Sequence, residues 1–182
     1  MKRHRLLLLC LCALCTLGTS CENDETPKVH YASSNGSIVD GVFTSDNMHF
    51  YGTATVTDTN GNSFSDEEAW FEFAGDRSYL VLYMHATRFA AAMPALDMRI
   101  LPLPYTPGRG ASLSFTVGEV VPEVRLPNAE GGGYSYRPLP SYTLTEVEGS
   151  IEDVNCRIGF TCAIPNMGTF RMEYTGRLII KD

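Results

Sequence analysis

The sequence has few basic residues and only one long apolar run, and both scarcities exclude classes of protein. It has 14 lysine and arginine residues against 21 acidic residues, a formal net charge of −7. Without a basic excess the chain offers no electrostatic footprint for nucleic acid or for anionic lipid head groups. Its long apolar run, residues 6–17, is shorter than the ~20 residues that a membrane-spanning helix needs. We therefore expect no nucleic-acid partner and no transmembrane helix.

Motifs of common catalytic and metal sites are missing as well. The chain has no Gly-x-Ser-x-Gly and no His-Glu-x-x-His. His30, His49 and His85 show no metal-ligand spacing. We predict that the protein is not an enzyme and uses no cofactor and no metal. A hydrolase with a dispersed site is the less favoured alternative, and it would need a concave cluster of titratable side chains.

One segment begins like a calcium loop. Residues 58–62 read Asp-Thr-Asn-Gly-Asn, with oxygen ligands at alternate positions. The sixth and twelfth positions require Gly and Glu, but Ser63 and Ala69 stand there. Asn60-Gly61 also favours positive φ angles, as a type I′ hairpin turn requires. The sequence therefore predicts a hairpin turn rather than a calcium site.

The first 21 residues have the pattern of a bacterial lipoprotein signal. Three basic residues in 1–5 precede the uncharged apolar run 6–17, which has the length of a signal-peptide core. The small residues 18–20 and then Cys21 follow. Small residues before a cysteine resemble a lipobox, whose cysteine becomes the lipid-bearing first residue after cleavage. We predict a signal peptide over residues 1–20 and lipidation of Cys21.

The lipobox departs from the usual pattern in one position. Leucine normally stands three residues before the cysteine, but Gly18 is there and Leu17 lies one residue earlier. Cys15 fits less well as the lipidated residue, because a bulky leucine would precede it. The alternative is ordinary secretion with cleavage near Ser20, which would leave a chemically exposed thiol at Cys21.

Residues 21–46 are polar and rich in turn formers, and we predict an acidic flexible tether there, with at most a short strand around Ile38 to Phe43. Residues 22–25, Glu-Asn-Asp-Glu, resemble the surface-export signal of lipoproteins in one lineage of Gram-negative gut commensals. We expect a lipid-anchored outer-membrane protein on the cell surface, or alternatively one facing the periplasm. Residues 1–20 hold three basic and no acidic residues, so the remaining chain carries a formal charge of −10.

Only two cysteines fall within the predicted folded part. Cys156 and Cys162 lie on one face of a single predicted strand. Six strand steps of ~3.3 Å separate their Cα atoms by roughly 20 Å, whereas a disulfide requires ~4.4–6.8 Å. We predict buried free thiols, unless a bulge at Gly159 brings the two cysteines together.

The segment after residue 47 reads as strand after strand, without a long amphipathic helix. The eight predicted strands are Phe50–Thr57, Trp70–Phe73, Tyr79–Ala86, Leu96–Leu101, Leu113–Val117, Ser141–Val147, Val154–Ile164 and Thr169–Ile180. The third is apolar on both faces, which is typical of a strand covered on both sides. We predict an all-β antiparallel meander that closes into a barrel, with a sandwich as the alternative. Closure would remove the exposed sheet edges.

The order of these segments is also that of a known family. The opening strand 51–56, the aromatic-rich strands that reach Leu80–Leu82, the segment 89–100 and the closing segment 174–178 follow one another. This order resembles the calycin-like (lipocalin-like) β-barrel lipoproteins of Bacteroidetes-type Gram-negative bacteria, over roughly residues 48–180. The resemblance implies one eight-stranded barrel domain over residues 47–182 on a lipid tether. It carries over no catalytic residue.

Binding is the function that the remaining features favour. The loop Gly131-Gly132-Gly133 precedes Tyr134 and Tyr136, a composition typical of adaptable binding loops. An eight-stranded barrel either fills with its own side chains or holds one small ligand. We place candidate ligand contacts at Tyr83, Phe115, Tyr134 and Tyr136.

We predict a non-enzymatic binding module and keep two hypotheses for its partner. The first is a small apolar or amphipathic ligand inside the barrel, which a filled interior would contradict. The second is an interaction protein whose rim loops engage an envelope protein, a host protein or a glycan.

Overall fold

The computed structural model describes residues 34–44, 46–91 and 93–180, which form an all-β fold. The predicted signal peptide, residues 1–20, and the lipidation site Cys21 lie outside the described residues. Within the described ranges we find no helix with the length and apolar character needed to cross a bilayer.

The described residues form thirteen strands and one 3₁₀ turn, joined by turns and loops. The strands are β1 (Ile38–Val39), β2 (Val42–Phe43), β3 (Met48–Asp58), β4 (Ser63–Gly75), β5 (Leu80–Thr87), β6 (Leu96–Leu103), β7 (Thr106–Pro107), β8 (Ser112–Val120), β9 (Glu123–Pro127), β10 (Tyr134–Pro138), β11 (Leu144–Glu152), β12 (Asn155–Ile164) and β13 (Gly168–Leu178), and the 3₁₀ turn is Pro140–Tyr142. All eight predicted strands are present, as β3, β4, β5, β6, β8, β11, β12 and β13.

Eleven of the strands form one antiparallel sheet, and β1 and β2 form a separate two-stranded hairpin. The order in the large sheet is β10-β9-β6-β5-β4-β3-β13-β12-β11-β8-β7. The predictions of eight strands and of a closed barrel are therefore wrong, because the sheet has eleven strands and two edges. The strands that we missed in it, β7, β9 and β10, are short and lie in Pro- and Gly-rich segments, where alternation is too brief to detect.

The large sheet curls into a half-barrel. Strand β8 pairs with β11 and strand β9 pairs with β6, yet only Val121 and Pro122 separate β8 from β9 in the chain. The two margins of the sheet therefore meet at a two-residue joint. Phe73 of β4 and Phe115 of β8 lie five strands apart in the sheet, and their ring centroids are 5.8 Å apart. Only a strongly curled sheet brings these rings into contact.

Large apolar side chains fill the concave face of the curled sheet. Phe115 is 2% exposed, and the buried apolar residues form one continuous cluster. The largest fully buried side chains are Tyr174, Phe43, Phe50, Phe71, Phe73, Phe89, Phe160, Leu80, Leu82, Met84, Met98 and Ile100. A small pocket beside the buried Thr87 has a volume of about 10 Å³, which is the space of a single water molecule.

Strands β1 and β2 lie in the segment predicted as a tether, and they belong to the folded part. Ile38 and Phe43 are buried in the core. The Gly41 N–H donates to the Gly110 carbonyl at 2.8 Å, and the Phe43 N–H donates to the Tyr105 hydroxyl at 3.1 Å. The hairpin is thus fixed against the connections that flank β7.

The β3–β4 connection is a hairpin turn, as predicted, but of another type. Only Gly61 of the Asn60-Gly61 pair has a positive φ, 84°. The Gly61 N–H donates to the Asp58 carbonyl at 3.0 Å, a pattern typical of a type I turn followed by a glycine bulge. The Asp58 carboxylate accepts the backbone N–H groups of Asn60 and Asn62 at 2.8 and 2.9 Å.

The prediction for the two cysteines of the fold is confirmed. Cys156 and Cys162 are free and buried on the concave side of β12. Burial disfavours the charged thiolate, so it raises the pKa of Cys162 to about 12 and also raises the pKa of Cys156. Both side chains act as small apolar residues of the core.

Candidate functional site

Three of the four predicted ligand contacts lie on the convex face of the sheet, and the fourth does not. On β5, Leu82 and Met84 are buried on the concave side, so Tyr83 between them points to the convex side. Its ring lies edge-on to Tyr136 of β10, with 6.0 Å between centroids. Phe115 lies in the interior, so it does not share a site with the three tyrosines. The predicted double coverage of β5 is also wrong, because Tyr83 is only half-buried.

Tyr134 and Tyr136 belong to a strand and not to a rim loop. The three glycines, Gly131–Gly133, all have positive φ and form the turn between β9 and β10. The Asn128 N–H donates to the Gly133 carbonyl at 3.0 Å and closes this turn. Glycine tolerates these φ angles without strain, so the chain reverses direction and both tyrosines project from the same face of β10.

Arg99 of β6 lies between two of the tyrosines and a carboxylate. Its guanidinium carbon is 4.4 Å from the Tyr136 ring centroid, and its nitrogens lie 2.6 and 2.7 Å from a Glu123 oxygen. Desolvation lowers the pKa of Arg99, but hydrogen bonds to Glu123 and Tyr83 outweigh it, so the net pKa is raised. The charge is permanent and the side chain is held in one orientation.

Arg125 of β9 also lies between a tyrosine ring and a carboxylate, next to Arg99 on the convex face. Its guanidinium carbon is 4.8 Å from the Tyr134 ring centroid, and its nitrogen is 3.3 Å from Asp97. Asp97 also accepts the Ala86 backbone N–H at 3.0 Å, which fixes the carboxylate. Each of the two hairpin tyrosines therefore lies against an arginine, and an acidic residue holds each arginine in place.

We call Tyr83, Tyr134, Tyr136, Arg99 and Arg125 the tyrosine–arginine patch. Tyr134 is 62% exposed, whereas Tyr136 is half-buried. Burial raises the pKa of Tyr136, and the negative charge of Asp97 adds to this, while Arg125 and Arg99 oppose it. The Tyr136 hydroxyl therefore stays neutral at physiological pH and can donate or accept a hydrogen bond.

Next to the patch, aromatic rings stack across three strands. The Trp70 indole lies between the rings of Tyr51 and His85, at centroid distances of 5.6 and 4.1 Å. Its Nε1–H donates to His49 Nδ1 at 3.3 Å, and His85 lies 6.3 Å from the Tyr83 ring. Both faces of the Trp70 indole are therefore covered by other rings, which stiffens this part of the convex face.

Glu72 lies beneath these rings with two histidines around it. Its carboxylate is 3.2 Å from His85 Nε2 and 3.9 Å from His49 Nδ1, and it accepts the Asn47 amide. Burial lowers the pKa of His49, Glu72 raises it and the neighbouring His85 lowers it further. The net pKa of His49 is lowered, which favours the neutral imidazole whose Nδ1 accepts the Trp70 N–H. The described residues include no group of three His, Cys, Asp or Glu with the geometry of a metal site.

Sequence reasoning missed this cluster because it depends on cross-strand register. His49 and Glu72 pair across β3 and β4, and Trp70 and His85 pair across β4 and β5. No spacing along the chain reveals such neighbours. The only sequence signal is that these polar side chains alternate with buried apolar residues.

An open groove of about 420 Å³ lies on the other half of the sheet, and Phe115 contributes to its floor. Arg171 extends across Gly159, where an added Cβ would meet the guanidinium, and its nitrogen lies 2.9 Å from Glu148. In this groove the Arg171 guanidinium and the Glu148 carboxylate form an ion pair. None of the three tyrosines predicted as ligand contacts lines it.

No protein-family model, no curated protein and no solved structure shows a significant match to the chain.

Proposed function

We propose that the protein is a lipid-anchored, calycin-like binding module of the outer membrane that engages a protein partner through the tyrosine–arginine patch. The observation that supports this proposal is the convergence of three tyrosines and two arginines from β5, β6, β9 and β10 on one partly exposed part of the convex face. The lipid on Cys21 and the acidic segment behind it would hold the domain at the cell surface.

The interior is the less favoured site for a ligand. Our first hypothesis required a hollow barrel, and the concave face is filled by rings that touch across it, such as Phe73 and Phe115. A cavity of about 10 Å³ leaves no room for a small apolar molecule. The convex face is therefore the better candidate.

The composition of the patch is that of a protein interface centre. Tyrosine, tryptophan and arginine dominate binding energy in such interfaces, because they combine large contact area with polar ends. Glu123 and Asp97 already fix Arg99 and Arg125. A partner would meet side chains that lose little further entropy on binding.

The proposal is tested by in-cell cross-linking with Tyr134→Ala/Tyr136→Ala and with Tyr79→Ala. Tyr79 is 42% exposed and lies outside the patch, so it is the matched control for loss of an exposed ring. We expect a cross-linked partner of the wild-type lipoprotein to disappear in the double variant and to persist with Tyr79→Ala. A partner set that is the same in all three proteins would contradict the proposal.

A further inference from the structure

We propose that the partner of the tyrosine–arginine patch is an extended peptide segment that adds to β10 as a further strand of the sheet. This inference rests on the proposed function and specifies its mode. It depends on the backbone of β10 as well as on the side chains, so the two proposals can fail separately.

The register of the β9–β10 hairpin shows which backbone groups point outward. Asn128 N–H bonds to Gly133 and Leu139 N–H bonds to Pro122, so these pairs mark the hydrogen-bonded positions at both ends of the hairpin. In an antiparallel ladder such pairs alternate with non-hydrogen-bonded ones. Tyr134, which pairs with Pro127, is therefore at a position whose backbone groups point away from β9.

Tyr136 and Pro138 occupy the same kind of position, two and four residues further on. In the part of the chain that the structure describes, no group hydrogen bonds to the backbone N–H of Tyr134 or of Tyr136. Pro138 has no N–H, so it ends the series of outward donors. The free edge thus offers two donors and three acceptors, enough for a segment of about five residues.

Side chains on the two faces of β10 indicate the chemistry of the added segment. Tyr134 and Tyr136 lie on one face, where alternate aromatic or apolar side chains of the segment would pack beside them. Arg137 lies on the other face and is exposed. Its nitrogens contact only Ser135 Oγ at 3.1 Å and the Asn128 side-chain oxygen at 3.3 Å, so among the described residues it has no acidic partner. An acidic side chain in the segment would complement it.

The added segment is therefore an extended peptide with aromatic or apolar residues at alternate positions and an acidic residue between them. A second copy of this chain is the competing occupant, since edge strands also pair with themselves. The experiment below separates the two.

The probe is a phage-displayed library of random seven-residue peptides, selected on the full-length lipoprotein in detergent. We expect enrichment of the alternating pattern with an acidic residue. The synthetic form of an enriched peptide is then titrated while amide hydrogen exchange is followed by NMR. The Tyr134 and Tyr136 amides should exchange at least about tenfold more slowly when the peptide is bound, because they gain hydrogen bonds. The Ser135 and Arg137 amides, which already face β9, are the internal controls.

Three outcomes of that experiment would overturn the inference. The first is a selection that enriches no alternating pattern. The second is a bound peptide that leaves the exchange of Tyr134 and Tyr136 unchanged. The third is slow exchange in the free protein that depends on concentration and accompanies a doubled mass, which would assign the edge to a second copy.

A pair of variants at one position separates the backbone from the ring. Tyr136→Ala removes the side chain and keeps the N–H, whereas Tyr136→Pro removes both. Strand addition predicts that proline weakens peptide binding about tenfold more than alanine, the effect of roughly one main-chain hydrogen bond. Equal loss with both variants would leave the patch as a binding site and reject strand addition. No loss with either would reject the patch itself.

Discussion

The two edges of the large sheet are built differently. At one edge, β7 is only two residues long and contains Pro107, and the β1–β2 hairpin lies against the connections beside it. At the other edge, β10 is five residues long, and the described residues add no strand beyond it. An unpaired edge strand is a template for pairing with another chain, and proteins that do not use it shorten or cover it. Within residues 34–44, 46–91 and 93–180, one edge is shortened and covered in this way and the other is not.

The contrast indicates that coverage of an edge depends on core packing. The β1–β2 hairpin is held by Phe43, which is fully buried, whereas the β9–β10 hairpin presents Tyr134 to solvent. The β7 edge thus lies against a hairpin that is packed into the hydrophobic core. The β10 edge has no such contact with the core and is exposed for binding. The following predictions test this division.

Removal of the hairpin anchor should have the largest effect. Phe43→Ala deletes a fully buried ring, so we expect a loss of about 3–5 kcal/mol in the free energy of unfolding. Tyr134→Ala at the other edge deletes a ring that is 62% exposed and should cost no more than about 0.5 kcal/mol. Urea denaturation of both variants measures the difference. Equal losses would show that the two edges contribute alike to stability.

Alanine substitutions at two glycines with similar φ angles give a finer comparison of the two edges. Gly41 has φ of 76°, and an added Cβ would lie 2.5 Å from the Gly108 carbonyl oxygen, beside β7. Gly131 has φ of 80° and no atom within 4 Å of such a Cβ. Both alanine variants carry the backbone strain of about 1–2 kcal/mol, but only Gly41→Ala adds a clash.

We therefore expect Gly41→Ala to have the lower melting temperature, by several degrees. Thermal unfolding followed by circular dichroism is the measurement. The same melting temperature for both variants would mean that the hairpin moves away from β7 without cost.

The smallest effect concerns one hydroxyl group between the hairpin and the sheet. Tyr105→Phe removes the hydroxyl that accepts the Phe43 N–H at 3.1 Å and donates to the Asp76 carbonyl at 3.3 Å. We expect a loss of about 1 kcal/mol, mainly from the part-buried bond to Phe43, because the bond to Asp76 is exposed and the ring itself remains. Faster exchange of the Phe43 amide, with other core amides unchanged, would confirm that the effect is local. An unchanged Phe43 amide would contradict this role for Tyr105.

Much of the sheet could be predicted from alternation of apolar and polar residues. Strands such as β8, where Leu113 and Phe115 are buried between exposed residues, carry the period of two plainly. Alternation along a strand does not show, however, whether a sheet is open or closed. The curl of the open sheet depends on the margins meeting at Val121 and Pro122, and β9 is recognisable only through its pairing with β6.

The candidate site was predicted in part. Two tyrosines after a glycine run indicated exposed aromatic side chains, and Tyr134 and Tyr136 lie beside Tyr83 in the structure. Phe115 faces the core, away from these tyrosines, and the alternation in its strand does not reveal which face is concave. The arginines against the rings, Arg99 and Arg125, come from other strands, so no local pattern could identify them.

The pairing of β3 with β13 sets the order in which this molecule can assemble. These strands, Met48–Asp58 and Gly168–Leu178, are joined along nine residue pairs at the centre of the sheet, although more than 100 residues separate them in the chain. The middle of the sheet therefore cannot form until the final strand has been synthesised. Contacts between such distant segments form slowly. Until then β3 lacks one of its two neighbours in the sheet, so the curled core cannot be completed.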